Sequence, residues 1–490
     1  MLPVVVAGGG IAGLAAATGL VERGVPVILI EPQAQLGGRV RAWPVDHGGQ
    51  SVTMSRGFHA FFRQYYNLRA LLRRADPGLA ALVGIDDYPL VLAGGHTDSF
   101  AKIPRTPPLN LLAFVAQSPA FSLRDLAAVD VSAAMELLDV EFPATFAAYD
   151  GESASGFLDR LRFPSGARHL ALEVFARSFF ARPTDFSAGE LVAMFHSYFL
   201  GSAEGLLFDV PVDDYDTSLW APLADYLSRS GVDIRTGKRV SAIDAADDGP
   251  VRVTCGDDEI AATAVVVATD PATTRSLLLG SGIGDDHWQT RVAATSTAPP
   301  FAVWRLWLDR RVDAGRPPFL GTSGFGLLDN ITVLERFEAG AGDWADQHGG
   351  SVVEVHAYAL TGEVDSSAVK QQLAAELSRI YPELAGAVPV AEEWLLQDDC
   401  PLAGTGPWAD RLTVGTPDRR IKLAGDGVRC DYPVALMERA ATTGFLAANQ
   451  LLADHGLAGH DLWTVPMRSR HRLAGPLHRL ALRQPGNSPR

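Results

Sequence analysis

Residues 4–31 read VVVAGGGIAGLAAATGLVERGVPVILIE, and their pattern decides the fold. Val4–Ala7 is a short apolar run. Ile11–Glu22 is rich in Ala and Leu and favours helix, and Gly24 closes it. Val25–Ile30 is a second apolar run. The spacing predicts a strand–turn–helix–strand unit. Gly8, Gly10 and Gly13 fall in the pattern G-x-G-x-x-G at the turn. The first glycine permits the tight turn, the second lets backbone approach a pyrophosphate, and the third lets helix and strand pack closely. The helix N-terminus then offers N–H groups and a positive dipole end to phosphates. Glu31 closes the second strand, where a carboxylate accepts hydrogen bonds from ribose hydroxyls and repels a 2′-phosphate. The plainer alternative is a glycine-rich turn in an ordinary α/β protein.

The rest of the chain sets limits. Its 490 residues suggest two or more domains. It is 47% hydrophobic and 20% charged, as soluble globular proteins are. A formal charge of −15 speaks against a general nucleic-acid binder. The acid is uneven, for Val465–Arg490 holds six arginines and no Asp or Glu. Cys255, Cys400 and Cys430 have the spacing of neither a disulfide framework nor a zinc site, so no metal is expected and a reducing cytoplasm is. The fold motif begins at once, so no signal peptide is expected. No uninterrupted apolar run reaches the roughly 18 residues of a spanning helix, so any membrane contact is expected from the side.

Along the chain, residues 100–200 read as mainly apolar helices, and Val265–Ala268 as a buried strand. Residues 300–400 mix strand-like runs, FAVWRLWL and SVVEVHAYAL, with a helix near Val369–Ile380. Val434–Leu452 reads as a long helix with Pro433 at its first turn. The fold class expected is α/β: a Rossmann-like nucleotide-binding domain built from discontinuous segments, with an inserted α+β substrate domain. The nucleotide-binding segments are 1–95, 206–290 and 406–460. The helical substrate part is 96–205, its sheet part 291–405, and a basic tail occupies 461–490.

LGGRVRAW, Leu36–Trp43, follows the ribose acid with two glycines and an arginine. This resembles the GG-R extension of two-dinucleotide flavoproteins, the amine-oxidase and phytoene-desaturase superfamily. IKLAGDGVRCDYPVALMERAATTGF, residues 421–445, is similar to the superfamily's C-terminal Gly-Asp segment. The resemblance implies FAD as cofactor, with Gly37, Gly38 and Arg39 at the pyrophosphate or flavin. It implies Gly425 and Asp426 at the ribityl chain, and a helix N-terminus aimed at the flavin pyrimidine. TGKRV, residues 236–240, and VVVATDP, residues 265–271, fit the remaining positions, with Val240 offering backbone hydrogen bonds to adenine.

The stretch RGFHAFFRQYYNLRALL, residues 56–72, departs from amine oxidases. Gly57, His59, Phe61, Phe62, Tyr65, Asn67 and Leu68 resemble the G-x-H-x-F-F-x-x-Y-x-N-L segment of plant-type phytoene and ζ-carotene desaturases. Residues 172–227, 423–445 and HDLWTVPMRSR at 460–470 resemble carotenoid β-ring desaturase/methyltransferases of the isorenieratene synthase type. That likeness implies an FAD-dependent enzyme that aromatises the β-ionone ring of a β-carotene-type substrate. Two desaturations are needed, and one methyl must leave the quaternary carbon. Hydride loss with a 1,2-methyl shift and a proton loss meets that need without a methyl donor. The alternative is a flavin amine oxidase, or another FAD oxidase or desaturase acting on a terpenoid.

Three residues are candidates for catalysis. His59 is either a base near the flavin or a core histidine bonded to a backbone carbonyl. Asp431 is either a proton acceptor or an N-cap acid. Glu438 is either catalytic or ion-paired with an arginine. Asp209, Asp213, Asp214 and Asp216 read as a solvated acidic loop. Phe175, Phe179, Phe180, Phe195, Tyr198 and Phe199 line a polyene tunnel or simply fill a core. Gln64–Arg74 reads as a helix with Tyr65, Leu68 and Leu72 buried and Arg69, Arg73 and Arg74 outward. Carotenoids reside in bilayers, so a cytoplasmic protein docked peripherally on a membrane surface is expected. The arginine-rich tail is the contact, or else a free basic tail. The partner is a hydrophobic carotenoid and not nucleic acid. The electron acceptor, quinone or oxygen, stays open.

Overall fold

Val4–Ala7 (β1) is apolar at every position and buried at every position, as a central parallel strand must be. The computed structural model describes residues 2–168, 177–245 and 249–470. β1 pairs in parallel with Val27–Glu31 (β2) on one side. Asp233–Thr236 (β3) extends the sheet beyond β2. On its other side β1 pairs with Ala264–Val267 (β4), and Ile421–Leu423 (β5) lies beyond that. The order β3-β2-β1-β4-β5 therefore gathers three remote parts of the chain into one parallel sheet.

Two helices cover one face of this sheet. Helix α1, Ile11–Val21, springs from the glycine turn. Helix α2, Leu436–Asp454, packs along it closely enough that a Cβ on Gly444 would sit 2.2 Å from the Ala12 carbonyl oxygen. The sequence placed the start of α2 at Val434 with Pro433 in the first turn. The helix instead begins at Leu436, whose φ of 52° breaks helical continuity with the residues ahead of it.

A seven-stranded sheet forms the second layer. Its order is Pro389–Gln397, Phe301–Leu308, Ser351–Ala357, Asn330–Val333, Phe319–Ser323, Leu90–Leu92 and Thr97–Asp98. Leu90–Leu92 thus joins the substrate sheet, although the sequence reading placed residues up to 95 in the nucleotide-binding segment. The Ser366–Ile380 helix lays Val369, Leu373 and Leu377 on this sheet, and Asp365 caps its first turn. Among the described residues of the middle region, short helices enclose a third core that includes Phe146, Phe157, Phe186 and Leu191.

The 57–74 stretch corrects two expectations. Its helix runs Tyr66–Leu72 and buries Leu68, Leu71 and Leu72. Arg69 does not face outward: its Nη1 donates to Asp209 Oδ2 at 2.6 Å, and Arg63 donates to the other oxygen at 2.8 Å. Asp209 is therefore a buried ion-pair residue and not part of a solvated loop. Arg74 reaches Glu22 at 3.1 Å, which leaves Arg73 as the exposed arginine of the three. Asp213 and Asp214 accept backbone N–H bonds within their own turn, from Asp214, and from Asp216 and Thr217, respectively.

Candidate active site

One long cleft of about 660 Å³ runs from the glycine turn into the substrate sheet. Its first end is polar and built on loops at the carboxyl ends of β1, β2, β4 and β5. Open α/β sheets bind ligands there. Gly8, Gly10, Ile11 and Ala12 line it, and no side chain caps the first turn of α1. Helix N–H groups are thus left for an anion. Gly13 faces away and lets the turn close, for a Cβ there would lie 1.9 Å from the Gly8 carbonyl oxygen. The Glu31 carboxylate accepts from Gly9 N–H at 2.7 Å and Gln33 N–H at 2.9 Å. Burial raises its pKa against these bonds. Val240 borders the same end, at the start of the Val240–Asp244 strand.

Further along, Gly37, Gly38 and Arg39 face Gly425 and Asp426 across the cleft. Arg39 and Asp426 bind each other in a two-pronged ion pair, 387 residues apart in sequence. The pair closes the ring of segments, and a bidentate guanidinium–carboxylate contact fixes both in orientation. Arg56 and Asp399 form a second ion pair beside it, through a single Nη2–Oδ1 contact at 2.5 Å. An uncapped helix N-terminus, a guanidinium, an accepting carboxylate and close-approach glycines form a set of groups that fits a dinucleotide. At the far end the walls are aromatic: Phe58, Phe62, Phe208, Phe301 and Phe319 line them.

The sequence candidates part here. His59 lines the cleft, and its Nδ1 donates to the Gly57 carbonyl at 2.8 Å. It is therefore at the wall and bonded to backbone at once, with Nε2 left to accept. Burial, with His356 and Arg56 near, holds its pKa down to about 4, so the ring is neutral at pH 7. Asp431 and Glu438 do not line the cleft. Asp431 is exposed and pairs with Arg429 at 3.2 Å. Glu438 accepts from Asn67 N–H at 2.8 Å and Leu68 N–H at 2.9 Å, capping the Tyr66–Leu72 helix from a remote segment. Neither geometry serves catalysis, and Glu438 has backbone rather than arginine for a partner.

Burial raises the Glu438 pKa to about 8 from an ordinary 4.5, the two N–H bonds opposing. The folded state then binds more protons than the unfolded one between those values, so stability falls as pH rises through that window. E438Q keeps an acceptor without the charge. It is expected to flatten the pH dependence of the denaturation midpoint between about pH 5 and pH 8. An unchanged slope would show that the acid is not the titrating group.

Of the six proposed tunnel aromatics, Phe180 lines the cleft, with a φ of 55°. Phe179 is buried against Phe186, and Phe195 packs on Phe199. The Tyr198 hydroxyl meets that of Tyr65 at 2.8 Å. Phe175 and the tail beyond residue 470 lie outside the described residues.

The sequence reading missed Tyr358, Asn330, Asp329 and Arg177, which line the far end of the cleft. The signal for one group was legible. Glu354, His356 and Tyr358 sit at i, i+2 and i+4 in SVVEVHAYAL, and a strand puts alternate residues on one face.

The parallel sheet, the dinucleotide cradle and the adjoining aromatic wall define an FAD-dependent oxidoreductase. The chain belongs to the flavin-containing amine oxidoreductase family, which it matches over residues 11–452. It is 52% identical over 482 residues to the carotenoid phi-ring synthase of Streptomyces griseus, covering 98% of this chain and 93% of that protein. It is 26% identical to the carotenoid phi-ring synthase of Chlorobaculum tepidum, covering 94% and 90% of the two chains. Among solved structures, a double mutant of putrescine oxidase superposes with a TM-score of 0.66 at 16% identity, over 92% of this chain and 99% of that one. The last likeness concerns the fold alone.

Proposed function

We propose that the chain is an FAD-dependent enzyme that aromatises the β-ionone end ring of a β-carotene-type carotenoid. The observation that carries this reading is the continuity of the cleft: the dinucleotide cradle opens straight into an apolar aromatic chamber. The 52% identity to a phi-ring synthase supports the ring as the reacting part.

Residues Gly8, Gly10, Gly13, Glu31, Gly37, Gly38, Arg39, Val240, Gly425 and Asp426 hold the cofactor in this reading. When bound, FAD supplies a two-electron acceptor for hydride. The chain supplies the rest. Phe58, stacked on Phe319 at 4.4 Å, belongs to a wall that excludes water from a ring cation. The electron-rich faces of such rings stabilise positive charge. With hydride gone, a methyl group moves from the quaternary carbon to its neighbour, and that neighbour then loses a proton. His59 Nε2 accepts one such proton.

No helix among the described residues is long and apolar enough to cross a membrane. The substrate is drawn from a bilayer by peripheral contact. Leu109 and Leu112 on one helix and Val131 on another are exposed at 55%, 62% and 69% and supply an apolar surface for this. The test is expression in cells that make β-carotene, with analysis of pigments, and sedimentation of the purified protein with anionic vesicles. Carotenoids with aromatic end rings and a yellow vesicle pellet are expected. An unchanged β-carotene pool, with peroxide formed from amines, would replace this reading by amine oxidation. Protein left in the supernatant would remove the membrane contact.

A further inference from the structure

Aromatising one ring removes two hydrides and two protons, and His59 is a single acceptor. Each carboxylate lining the cleft is already engaged. Glu31 takes two backbone N–H groups, and Asp270 caps the helix that follows it, accepting from Thr273 N–H at 2.9 Å. Asp329, Asp399 and Asp426 pair with Arg177, Arg56 and Arg39. One hydroxyl at the wall is differently placed. Tyr358 lies 2.5 Å from His356 Nδ1, and His356 Nε2 lies 2.7 Å from Glu354 Oε1. The other Glu354 oxygen accepts from Arg305 Nε at 2.9 Å and Nη2 at 2.8 Å. Arg305, Glu354 and His356 are all at most 2% exposed.

We propose that Tyr358 is a second proton acceptor for the substrate ring, acting through a Tyr358–His356–Glu354–Arg305 relay. The inference rests on the ring chemistry above.

The hydrogen positions follow from one group. Burial alone would raise the Glu354 pKa, but Arg305 and His356 hold it at about 2. An ionised carboxylate has no proton to give, so His356 Nε2–H donates to it. Nδ1 is then a lone pair, and the Tyr358 hydroxyl donates to it. Asn330 Nδ2 donates to the phenol oxygen at 2.9 Å, which leaves that oxygen one lone pair. The logic is that of a hydroxyl–imidazole–carboxylate triad with a phenol in first place.

The ring cation, formed by hydride loss to the flavin, breaks a C–H bond whose electron pair becomes the new ring double bond. That proton joins the Tyr358 oxygen while the phenol's own proton passes to His356 Nδ1. The resulting imidazolium is neutralised by Glu354. Burial raises the Tyr358 pKa well above the ordinary phenol range, so the two transfers occur together rather than through free phenolate.

Burying this chain is costly, and packing does not call for it. The alternate residues Val353, Val355 and Ala357 on the same strand are apolar and fully buried. Tyr358 is the proton-accepting group; His356, Glu354 and Arg305 are positioning residues. Gly57 also serves the relay, for its φ is 99° and a Cβ there would meet His356 Cε1 at 2.6 Å.

The deciding variant is Y358F, which removes one oxygen at the cleft wall. Purified FAD-loaded protein on β-carotene vesicles is expected to lose about 100-fold or more in kcat. KM should stay within about twofold of wild type, and the bound-flavin spectrum should not change. The double variant Y358F/H356Q should be no slower than Y358F alone, since groups acting as a unit do not add. In flavin-free protein labelled with [15N]histidine, Y358F should shift the His356 Nδ1 resonance, assigned by its loss in H356Q. Should H356Q not fold, the kcat of Y358F alone decides. A Y358F enzyme within about fivefold of wild type would overturn the relay. A wild-type enzyme inert toward cyclic carotenoid would instead overturn the proposed function.

Discussion

Replacing Glu190 with alanine is expected to cost about 3–5 kcal/mol of stability, measured as a fall in the denaturation free energy. Glu190 is completely buried on the Ala188–Phe195 helix. Its Oε1 accepts from Arg411 Nη1 at 2.6 Å and from Arg439 Nη1 at 3.0 Å, and its Oε2 from Arg439 Nη2 at 2.6 Å. Burial would raise its pKa, but the two arginines hold it below the ordinary carboxylate range. Arg439 is 3% exposed, so removing the acid leaves a guanidinium in the interior with one carbonyl partner, Val434, at 2.9 Å. That uncompensated charge, rather than the lost attraction, is the main cost. The double variant E190L/R439L should therefore recover most of the loss, because the two deeply buried charges are gone, while Arg411, 19% exposed in its side chain, keeps water and the Gly404 carbonyl as partners. A single-variant loss below about 1 kcal/mol would mean that water reaches Arg439.

The same cluster has a functional consequence. Arg439 lies one turn inside α2, whose first residues Leu436, Met437 and Ala440 line the cleft. Glu190 thus fixes the cleft-facing end of α2 to the helical part of the substrate region. E190A should lose flavin more readily as well as unfold earlier.

Local features of the site were legible in the sequence, and remote ones were not. The glycine turn and Glu31 are short-range patterns whose geometry is set by neighbouring residues, so spacing pointed to them, whereas Arg39 came from the resemblance of LGGRVRAW to a flavoprotein segment; Gly8, Gly10, Glu31 and Arg39 all line the cleft. Glu438 shows the opposite case. Its partners Asn67 and Leu68 are about 370 residues away, so nothing adjacent to it announces a cap. Asp209 failed for a related reason: an acid near three others reads as solvated until Arg63 and Arg69 fold onto it. The relay lies between these extremes. Glu354, His356 and Tyr358 share a strand face, but Arg305 joins only because the Phe301–Leu308 strand pairs it directly with Glu354. Period-2 polarity in an otherwise apolar strand was the available signal.

The glycine turn supplies the second large effect, because two of its glycines should fail differently. G13A is expected to abolish both the turn and the flavin site. A Cβ at Gly13 would lie 1.9 Å from the Gly8 carbonyl oxygen and 3.2 Å from Val6 Cγ1, and the first contact is with backbone, which cannot yield by rotating a side chain. β1 and α1 would have to separate at the centre of the sheet. Gly10 is another matter. Its φ of −77° suits any residue, and a Cβ there would meet its nearest neighbour, Gly38 Cα, at 3.7 Å. G10A should therefore fold, but its methyl group stands at the N-cap of α1, on the cleft wall where the proposed FAD site needs backbone close to the pyrophosphate. Loss of about 1.4 kcal/mol of contact there is a tenfold loss in FAD affinity, read by titrating apoprotein with FAD. FAD at a hundredfold excess over Kd should also stabilise wild type by about 2.7 kcal/mol, read as a rise in melting temperature, and stabilise G10A less. Equal FAD affinity in G10A and wild type would place the pyrophosphate elsewhere in the cleft. A folded G13A protein that binds FAD would show that β1 and α1 can part without loss of the site.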